Sequence, residues 1–243
     1  PWFPDVLDQE RQDCLANDPD SYWHVWEGEC ITRTDAQILN GKWLVREFEP
    51  GKDWGDPYHG SDWGYASDPT AAIKCWIHND RLWIERESYQ HRLELNDVAE
   101  RWRRDIPGIE HYVLRADSAQ PAMISHVKRD LSKIAGSPKW RGSIEDGIAY
   151  LRSFREIVIH PRCVNFADEA RRYSYKVDRR SGDVLPVIID AHNHLIDSLR
   201  YALAPMILAK SGKQSNPIGR TSRSAANTRE RIGGVKRSGR VFE

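Results

Sequence analysis

The chain has 243 residues, of which 40% are hydrophobic and 30% are charged, so its composition is that of an ordinary globular protein with a core of its own. No apolar run reaches the length of about 20 residues that a transmembrane helix needs. Charged residues follow the first few positions at once, which a secretory signal would not have. The four cysteines are scattered and form no C-x-x-C pair, which predicts free thiols in a reducing compartment.

Charge is balanced over the whole chain but not along it. The formal net charge is zero, yet residues 209–243 hold nine basic and two acidic residues, so this segment carries +7 and the remainder −7. A basic tail on an acidic body is typical of contact with nucleic acid or with a protein partner. An acidic body also suits a site in which carboxylates bind cations.

The first elements in chain order are a helical segment and three strands. Residues 1–40 predict a helical lead-in, because their apolar and aromatic residues lack the alternation of a strand. Strand-like sequence follows at 57–64, 70–78 and 81–88, and the turn-forming pair Asn79-Asp80 separates the last two segments. These segments predict an antiparallel meander of three strands.

Helices and strands then alternate along the chain. Helical spacing of apolar residues predicts helices over 95–106 and from Pro121 onward, each followed by a strand, near 111–116 and 133–138. Ser143, with Asp146 three residues later, predicts a capped helix, and 156–160 predicts another strand. This order predicts an α/β protein with a mixed sheet flanked by helices, an RNase H-like fold whose first and fourth strands are neighbours at the centre.

The last part of the chain predicts an appendage, a helix and a tail. Strand-like segments at 173–177 and 184–189 flank a charged turn, which predicts a β-hairpin whose tip carries Arg179 and Arg180. Residues 193–207 predict a helix, and the scarcity of apolar residues in 209–243 predicts a disordered basic tail. We therefore expect a lead-in over 1–40, an RNase H-like domain over 41–208 and a tail over 209–243.

Two aspartates are candidate ligands at the ends of predicted strands. Asp62 lies in the run Gly60-Ser61-Asp62-Trp63-Gly64, and a carboxylate in a short strand is costly to bury without a partner such as a cation. Asp117 follows an apolar strand, at the edge where ligands bind in open α/β sheets. The alternatives are that Asp62 is a turn residue and that Asp117 or Ser118 caps the next helix.

A third aspartate lies on the last predicted helix. Asn193, Asp197 and Arg200 share one face of it, and His194 lies three residues before Asp197. The alternative is a cap at Asn193 with a surface ion pair between Asp197 and Arg200. The predicted fold brings Asp62, Asp117 and Asp197 together, since a helix can cross the ends of two neighbouring strands.

A cluster of three carboxylates predicts a metal site. The charges repel and raise one another's pKa, and Mg²⁺ or Mn²⁺ would relieve that repulsion. Two such ions about 4 Å apart can activate a water and stabilise the leaving oxygen in phosphodiester cleavage. Replacing any one of the three acids by asparagine is then expected to slow cleavage by orders of magnitude and to leave folding unharmed or slightly improved.

The sequence resembles the C-terminal nuclease domain of the large terminase subunit of tailed bacteriophages over roughly residues 1–207. The most specific part is Asn193-His194-Leu195-Ile196-Asp197-Ser198-Leu199-Arg200-Tyr201-Ala202, which is similar to the family's motif at its last acid. Gly60 to Gly64 with Asp68-Pro69-Thr70-Ala71 resembles its first motif, and Ala116-Asp117-Ser118-Ala119 its second. Lys139 ahead of Gly142-Ser143-Ile144 is also similar to the family's sequences.

The resemblance implies a metal-dependent DNA endonuclease that cleaves concatemeric phage DNA during genome packaging, with little sequence specificity. It implies that Asp62, Asp117 and Asp197 bind Mg²⁺ or Mn²⁺, as two ions, and that His194 acts beside them on Asp197 or on a water. It further implies double-stranded DNA, the portal and the small terminase subunit as partners, and the host cytoplasm as the location. The chain lacks the G-x-x-x-x-G-K-[ST] loop of the family's ATPase motor, so we expect an isolated domain of a longer protein without ATP hydrolysis.

Two other functions remain open from the residues. The first is another RNase H-like enzyme, such as a junction resolvase. The second is a non-catalytic module that clamps DNA or docks in the packaging motor, in which the acids would be structural. Lys139 could bind phosphate or could be a solvated lysine before a helix.

Overall fold

The computed structural model describes residues 4–17, 26, 35–178 and 180–213. The named helices are α1 (Asp5–Asn17), α2 (Val98–Asp105), α3 (Pro121–Val127), α4 (Ser143–Ser153), α5 (Val164–Arg172) and α6 (His194–Ser211). The strands are β1 (Trp43–Val45), β2 (Tyr58–Asp62), β3 (Thr70–His78), β4 (Arg81–Gln90), β5 (Leu114–Ala116), β6 (Ile134–Gly136), β7 (Glu156–Ile159), β8 (Tyr175–Val177) and β9 (Val184–Ile188). None of the described helices has the length and hydropathy of a membrane-spanning segment.

Seven strands form one mixed sheet in the order β1-β7-β4-β3-β2-β5-β6. β2, β3 and β4 pair antiparallel, whereas β5 and β6 extend the sheet in parallel from β2, and β7 and β1 extend it in parallel from β4. Asn79 and Asp80 join β3 to β4 with positive φ angles of 51° and 56°, as a two-residue hairpin turn requires. The predicted mixed sheet is confirmed, including the parallel pairing of β2 with β5, although β3 rather than this pair lies at the centre of the seven strands.

Helices cover both faces of this sheet because side chains along its strands alternate. Ala71, Ile73 and Cys75 of β3 belong to a core shared with α4, α5 and α6. Ala72 points to the other face, where Trp102 of α2 is fully buried in a second core. The sheet is therefore the middle layer of three, and α6 lies on the same face as α4 and α5.

Three local expectations about secondary structure were wrong. β1 and α5 were not predicted, because β1 has only three residues and α5 is a largely polar helix. Ser143 does not cap α4: Gly142, with φ of 81°, holds the cap position and no side chain bonds there. The last helix extends beyond residue 207, to Ser211.

The predicted domain boundaries remain predictions, but two structural facts bear on them. Ile38 and Leu39, which precede the expected start at residue 41, are buried in the core. At the other end, Gly212 follows α6 with φ of 66°, the left-handed conformation common after a helix. The hairpin of β8 and β9 is confirmed, whereas Arg179 at its tip, residues 214–243 of the tail and most of 18–34 lie outside the described residues.

Candidate active site

Two of the candidate acids lie at the carboxyl ends of neighbouring parallel strands. Asp62 is the last residue of β2, and Asp117 follows β5 directly. Ser61 pairs in register with Ala116, and the backbone N–H of Asp117 donates to the Ser61 carbonyl at 3.0 Å. Asp117 does not cap α3, because its Oδ1 accepts the backbone N–H of Ala119 while α3 begins at Pro121 without a side-chain cap.

The third acid reaches them because α6 packs unusually close to β2. A Cβ atom at Gly60 would lie 1.9 Å from the carbonyl oxygen of Ser198 and 2.7 Å from the backbone nitrogen of Ala202. Only glycine leaves room for this approach of helix to strand. Since Asp197 directly precedes Ser198, the contact at Gly60 sets the distance of Asp197 from the end of β2.

Each of the three carboxylates is paired with a basic side chain: Lys139 and Arg200 are cations, and His194 is charged only when protonated. Asp62 Oδ2 lies 3.3 Å from His194 Nδ1. Asp117 Oδ1 lies 2.5 Å from Lys139 Nζ, and Asp197 Oδ1 lies 2.5 Å from Arg200 Nη2. The negative charge of the cluster is therefore offset within the protein, which the sequence argument from repulsion did not foresee.

The pair of Asp197 and Arg200 is buried rather than at the surface. Arg200 exposes 6% of its side chain and Asp197 exposes 16%. Gly147 of α4 makes room for the arginine, because a Cβ there would lie 2.6 Å from Arg200 Cδ. Removing the carboxylate would leave a buried guanidinium without its ion pair.

Burial, more than mutual repulsion, raises the pKa of Asp62 and of Asp197. Burial is the largest influence raising the pKa of Asp62, and Asp117 adds a smaller electrostatic contribution. Burial also raises the pKa of Asp197, against the stabilising charge of Arg200, and Asp62 raises it further. Asp62 is thus close enough to Asp117 and to Asp197 for their charges to interact, but burial is the larger influence on the pKa of Asp62 and of Asp197.

His194 faces a different acid from the one expected. Its Nδ1 contacts Asp62, and its Nε2 lies 3.7 Å from Asp68 Oδ1, so the two nitrogens hold two carboxylates rather than Asp197. Burial works against the charged imidazolium, but the hydrogen bond and charge of Asp62, aided by Glu169 and Asp68, raise the pKa of His194 above its usual value. The imidazole therefore connects the end of β2 to the loop before β3.

Sequence reasoning missed Glu169 and gave no role to Asp68. Glu169 is 2% exposed, and its Oε2 accepts the backbone N–H groups of Leu195 and Ile196 in the first turn of α6. A signal was present: Phe166, Glu169, Ala170 and Tyr173 recur at helical spacing, which places the glutamate on a buried face. Lys139 pairs with Asp117 while exposing 41% of its side chain.

The donor set fits a hard divalent cation in kind. Carboxylate oxygens from β2, β5 and α6 meet at one edge of the sheet, and Mg²⁺ and Mn²⁺ favour such ligands. Within the described ranges, however, no three histidine, cysteine, aspartate or glutamate side chains are grouped so that they could hold a metal ion. Lys139 and Arg200 instead contact carboxylate oxygens of Asp117 and Asp197 that would serve as ligands.

A mixed sheet with this strand order, with acids at the ends of the neighbouring parallel strands β2 and β5 and on the helix across them, defines an RNase H-like α/β protein. Residues 62–205 match the family described as "Terminase RNAseH like domain". The match covers more than half of the sequence, and the chain belongs to this family, which confirms the resemblance found in its motifs.

Individual relatives agree with this assignment. The crystal structure of the g2p (large terminase) nuclease domain from bacteriophage SPP1 with bound Mn is similar over 68% of this chain and 97% of that one, at 28% identity and a TM-score of 0.61. A large terminase from a thermophilic bacteriophage, solved in complex with ADP, shares the fold over 71% of this chain and 45% of that one, at 16% identity and a TM-score of 0.53. The PBSX phage terminase large subunit of Bacillus subtilis (strain 168) is 25% identical over 146 residues, so the match covers 59% of this chain and 33% of that relative.

Proposed function

We propose that this chain is a divalent-metal-dependent endonuclease that cleaves concatemeric phage DNA during genome packaging, with little sequence specificity. One observation carries the proposal: Asp62 and Asp117 lie at the carboxyl ends of two neighbouring parallel strands, and Asp197 lies on the helix that packs closely against the first of these strands at Gly60. The similar nuclease domain of SPP1, which was solved with bound Mn, supports the choice of metal.

Asp62, Asp117 and Asp197 would hold the metal, as two ions of Mn²⁺ or Mg²⁺. Such ions activate a water and stabilise the leaving oxygen in phosphodiester hydrolysis, with no covalent enzyme intermediate. His194 keeps the carboxylate of Asp62 oriented through its 3.3 Å contact. When Lys139 leaves Asp117, its ammonium group becomes available to bind a phosphate oxygen of the DNA backbone.

The wider setting is part of the same proposal. The matching relative is a large subunit of which this chain spans about a third, so an ATPase motor belongs to the full-length protein, and this chain alone hydrolyses no ATP. Double-stranded DNA is the substrate, the portal and the small subunit are partners, and the host cytoplasm is the location. We further propose that the basic tail binds DNA or a packaging partner, and that Arg179 and Arg180 at the hairpin tip touch DNA or gate the cleft.

A non-catalytic docking module remains the second candidate, and the ion pairs favour it. Carboxylates paired with Lys139 and Arg200 are what structural acids would show. Against this, a purely structural site has no need to place three carboxylates at the same sheet edge, because burying charge is costly and apolar packing would be more stable. Family membership argues against a resolvase.

Nicking of supercoiled plasmid in Mn²⁺ separates the two candidates. We expect the wild type to nick and Asp117→Asn to be slower by at least about 10²-fold, the usual loss when one charge-stabilising group is removed from an active site. Glu156→Gln is the matched control, because Glu156 is also paired with a cation, Arg81 at 3.1 Å, but lies at the start of β7, away from the site. Equal rates for wild type and Asp117→Asn, or no nicking by the wild type in Mn²⁺ or Mg²⁺, would favour the docking module.

A further inference from the structure

The helix that carries two of the site residues has no cap of its own. The first backbone N–H groups of a helix have no partner within the helix and need one from elsewhere. Asn193 precedes α6 but makes no side-chain cap bond, and its amide donates to Asp190 instead. The same is true of α5, where Cys163 holds the cap position without a side-chain bond.

Buried glutamates from other elements supply the missing acceptors of both helices. Glu169 of α5 accepts the N–H groups of Leu195 and Ile196 of α6, at 2.8 and 3.1 Å. Glu87 of β4 does the same for α5, accepting from the backbone of Asn165 at 2.9 Å and of Phe166 at 2.8 Å. The two contacts are alike in chemistry, but only α6 carries residues of the candidate site.

The contact of Glu169 lies between two site residues. Leu195 and Ile196, whose N–H groups it binds, separate His194 from Asp197 in the first turn of α6. One turn later the helix rests on Gly60 through the backbone of Ser198 and Ala202. These two fixed points determine how far α6 is rotated about its axis and how far it is shifted along it. The orientations of the His194 and Asp197 side chains therefore depend on both contacts.

Stability alone does not account for a carboxylate at this place. Glu169 is 2% exposed, and its second oxygen, Oε1, has no hydrogen-bond partner among the described residues. Burying a carboxylate is costly, and a shorter polar or an apolar residue would fill the space with less penalty. All the hydrogen bonds that the side chain makes go to the first turn of α6.

The geometry points to Glu169 as a positioning residue: its carboxylate fixes the first turn of α6 so that His194 and Asp197 stand over Asp62. This inference rests on the proposed nuclease function. Glu169 acts through the backbone of α6 and touches neither metal nor DNA. Its loss therefore weakens metal binding and cleavage through a displaced turn, and an acceptor oxygen at the same position is sufficient to restore both.

The test compares Glu169→Ala and Glu169→Gln with Glu87→Ala as the matched control. Three quantities are measured on the full 243-residue chain: urea unfolding, the rise in melting temperature caused by Mn²⁺, and the rate of plasmid nicking in Mn²⁺. A ligand that binds only the folded state raises the melting temperature according to its affinity, so the second readout does not depend on activity.

We expect Glu169→Ala to lose most of the Mn²⁺-induced rise and to nick more slowly by about 10²-fold, the effect of misplacing a group by roughly 1 Å. Glu169→Gln, which keeps an acceptor oxygen, retains the Mn²⁺ response and nicks within about tenfold of the wild type. Glu87→Ala loses a comparable amount of stability but keeps both properties. If Glu169→Ala does not fold, Glu169→Asp replaces it, and its shorter reach predicts a weaker Mn²⁺ response than that of Glu169→Gln.

Several outcomes would overturn the inference. The first is that folded Glu169→Ala or Glu169→Asp keeps the Mn²⁺ response and the nicking rate of the wild type. The second is that Glu87→Ala loses as much of both as Glu169→Ala does. The third is that Glu169→Gln folds but is as defective as Glu169→Ala. A wild type that does not nick would contradict the proposed function instead, while the Mn²⁺ response of the variants still decides the role of Glu169.

Discussion

A single methyl group added at Gly60 should push α6 away from β2 and displace the site residues that α6 carries. In Gly60→Ala, the new Cβ would lie 1.9 Å from the Ser198 carbonyl oxygen, 2.7 Å from the Ala202 nitrogen and 2.9 Å from the Ser198 carbonyl carbon. All three are backbone atoms, so no side chain can rotate away. Because non-bonded heavy atoms pack at about 3.5 Å, α6 has to retreat by roughly 1.5 Å.

The expected losses follow from that displacement. Overpacking of this kind costs about 3 kcal/mol, the upper end of the usual range, which lowers the melting temperature of a domain of this size by about 10 °C. Asp197 moves with Ser198, and a misplacement of about 1 Å lowers a rate by roughly 10²-fold. Activity should therefore fall far more than the fraction of folded protein, measured by circular dichroism at the nicking temperature.

Gly41→Ala provides the matched comparison. Gly41 has φ of 66°, so alanine there is strained by about 1 kcal/mol, but its Cβ would meet no atom within 4 Å. This variant should lose stability and keep its nicking rate. A Gly60→Ala protein with wild-type melting temperature and wild-type nicking would refute the reasoning, and equal losses of activity in both variants would show that only stability matters.

Three further predictions concern charge. Asp197→Asn should lower the free energy of unfolding in urea by about 3 kcal/mol, because it leaves Arg200 buried without its ion pair. Asp117→Asn should lower it by less than about 1 kcal/mol, since its partner Lys139 is part-exposed. A more stable Asp197→Asn would show instead that repulsion between the acids outweighs the ion pair with Arg200. Lys139→Gln should bind Mn²⁺ up to about fivefold more tightly in a melting-temperature titration, because a competing ammonium is gone, and an unchanged affinity would contradict that competition. Burial, with a smaller contribution from Lys74, lowers the pKa of His59 to about 3, so this histidine stays neutral in the folded protein while it is protonated in the unfolded chain below about pH 6.5. The free energy of unfolding therefore decreases as the pH falls, and between pH 7 and pH 5 that of the wild type should decrease by about 2 kcal/mol more than that of His59→Phe. Parallel profiles of unfolding free energy against pH would show that His59 is not responsible.

The sequence predicted those parts of the fold in which local pattern and tertiary packing agree. Local sequence patterns account for the alternation in β3, for the Asn79-Asp80 turn and for the apolar strand before Asp117. The mixed sheet and the pairing of β2 with β5 could therefore be inferred. α5 could not be inferred in this way, because its acceptor is Glu87 of β4 and the sequence around residue 164 carries no start signal of its own. The expected cap at Ser143 was wrong for the converse reason: a favourable cap residue is present, but Gly142 occupies the cap position.

In the candidate site, too, the sequence shows local features but not contacts between residues far apart in the chain. The types and the chain positions of the three acids are visible in the sequence, and the fold brings them together. Their partners are not visible, because Lys139 and Glu169 lie far along the chain from the groups they bind, 22 residues from Asp117 and 26 residues from Leu195. Even for Arg200, three residues from Asp197, the only ion pair considered was one at the surface, given as an alternative, since nothing local shows that Gly147 opens a space for it.

Mn²⁺ in crystals of the protein, located by its anomalous scattering, tests most directly whether the three acids form one metal site. We expect anomalous peaks in contact with the carboxylates of Asp62, Asp117 and Asp197, with the side chains of Lys139 and Arg200 turned away from their present partners. Mn²⁺ bound elsewhere, or carboxylates that keep their 2.5 Å ion pairs in saturating Mn²⁺, would contradict the proposal that this site cuts DNA with metal ions.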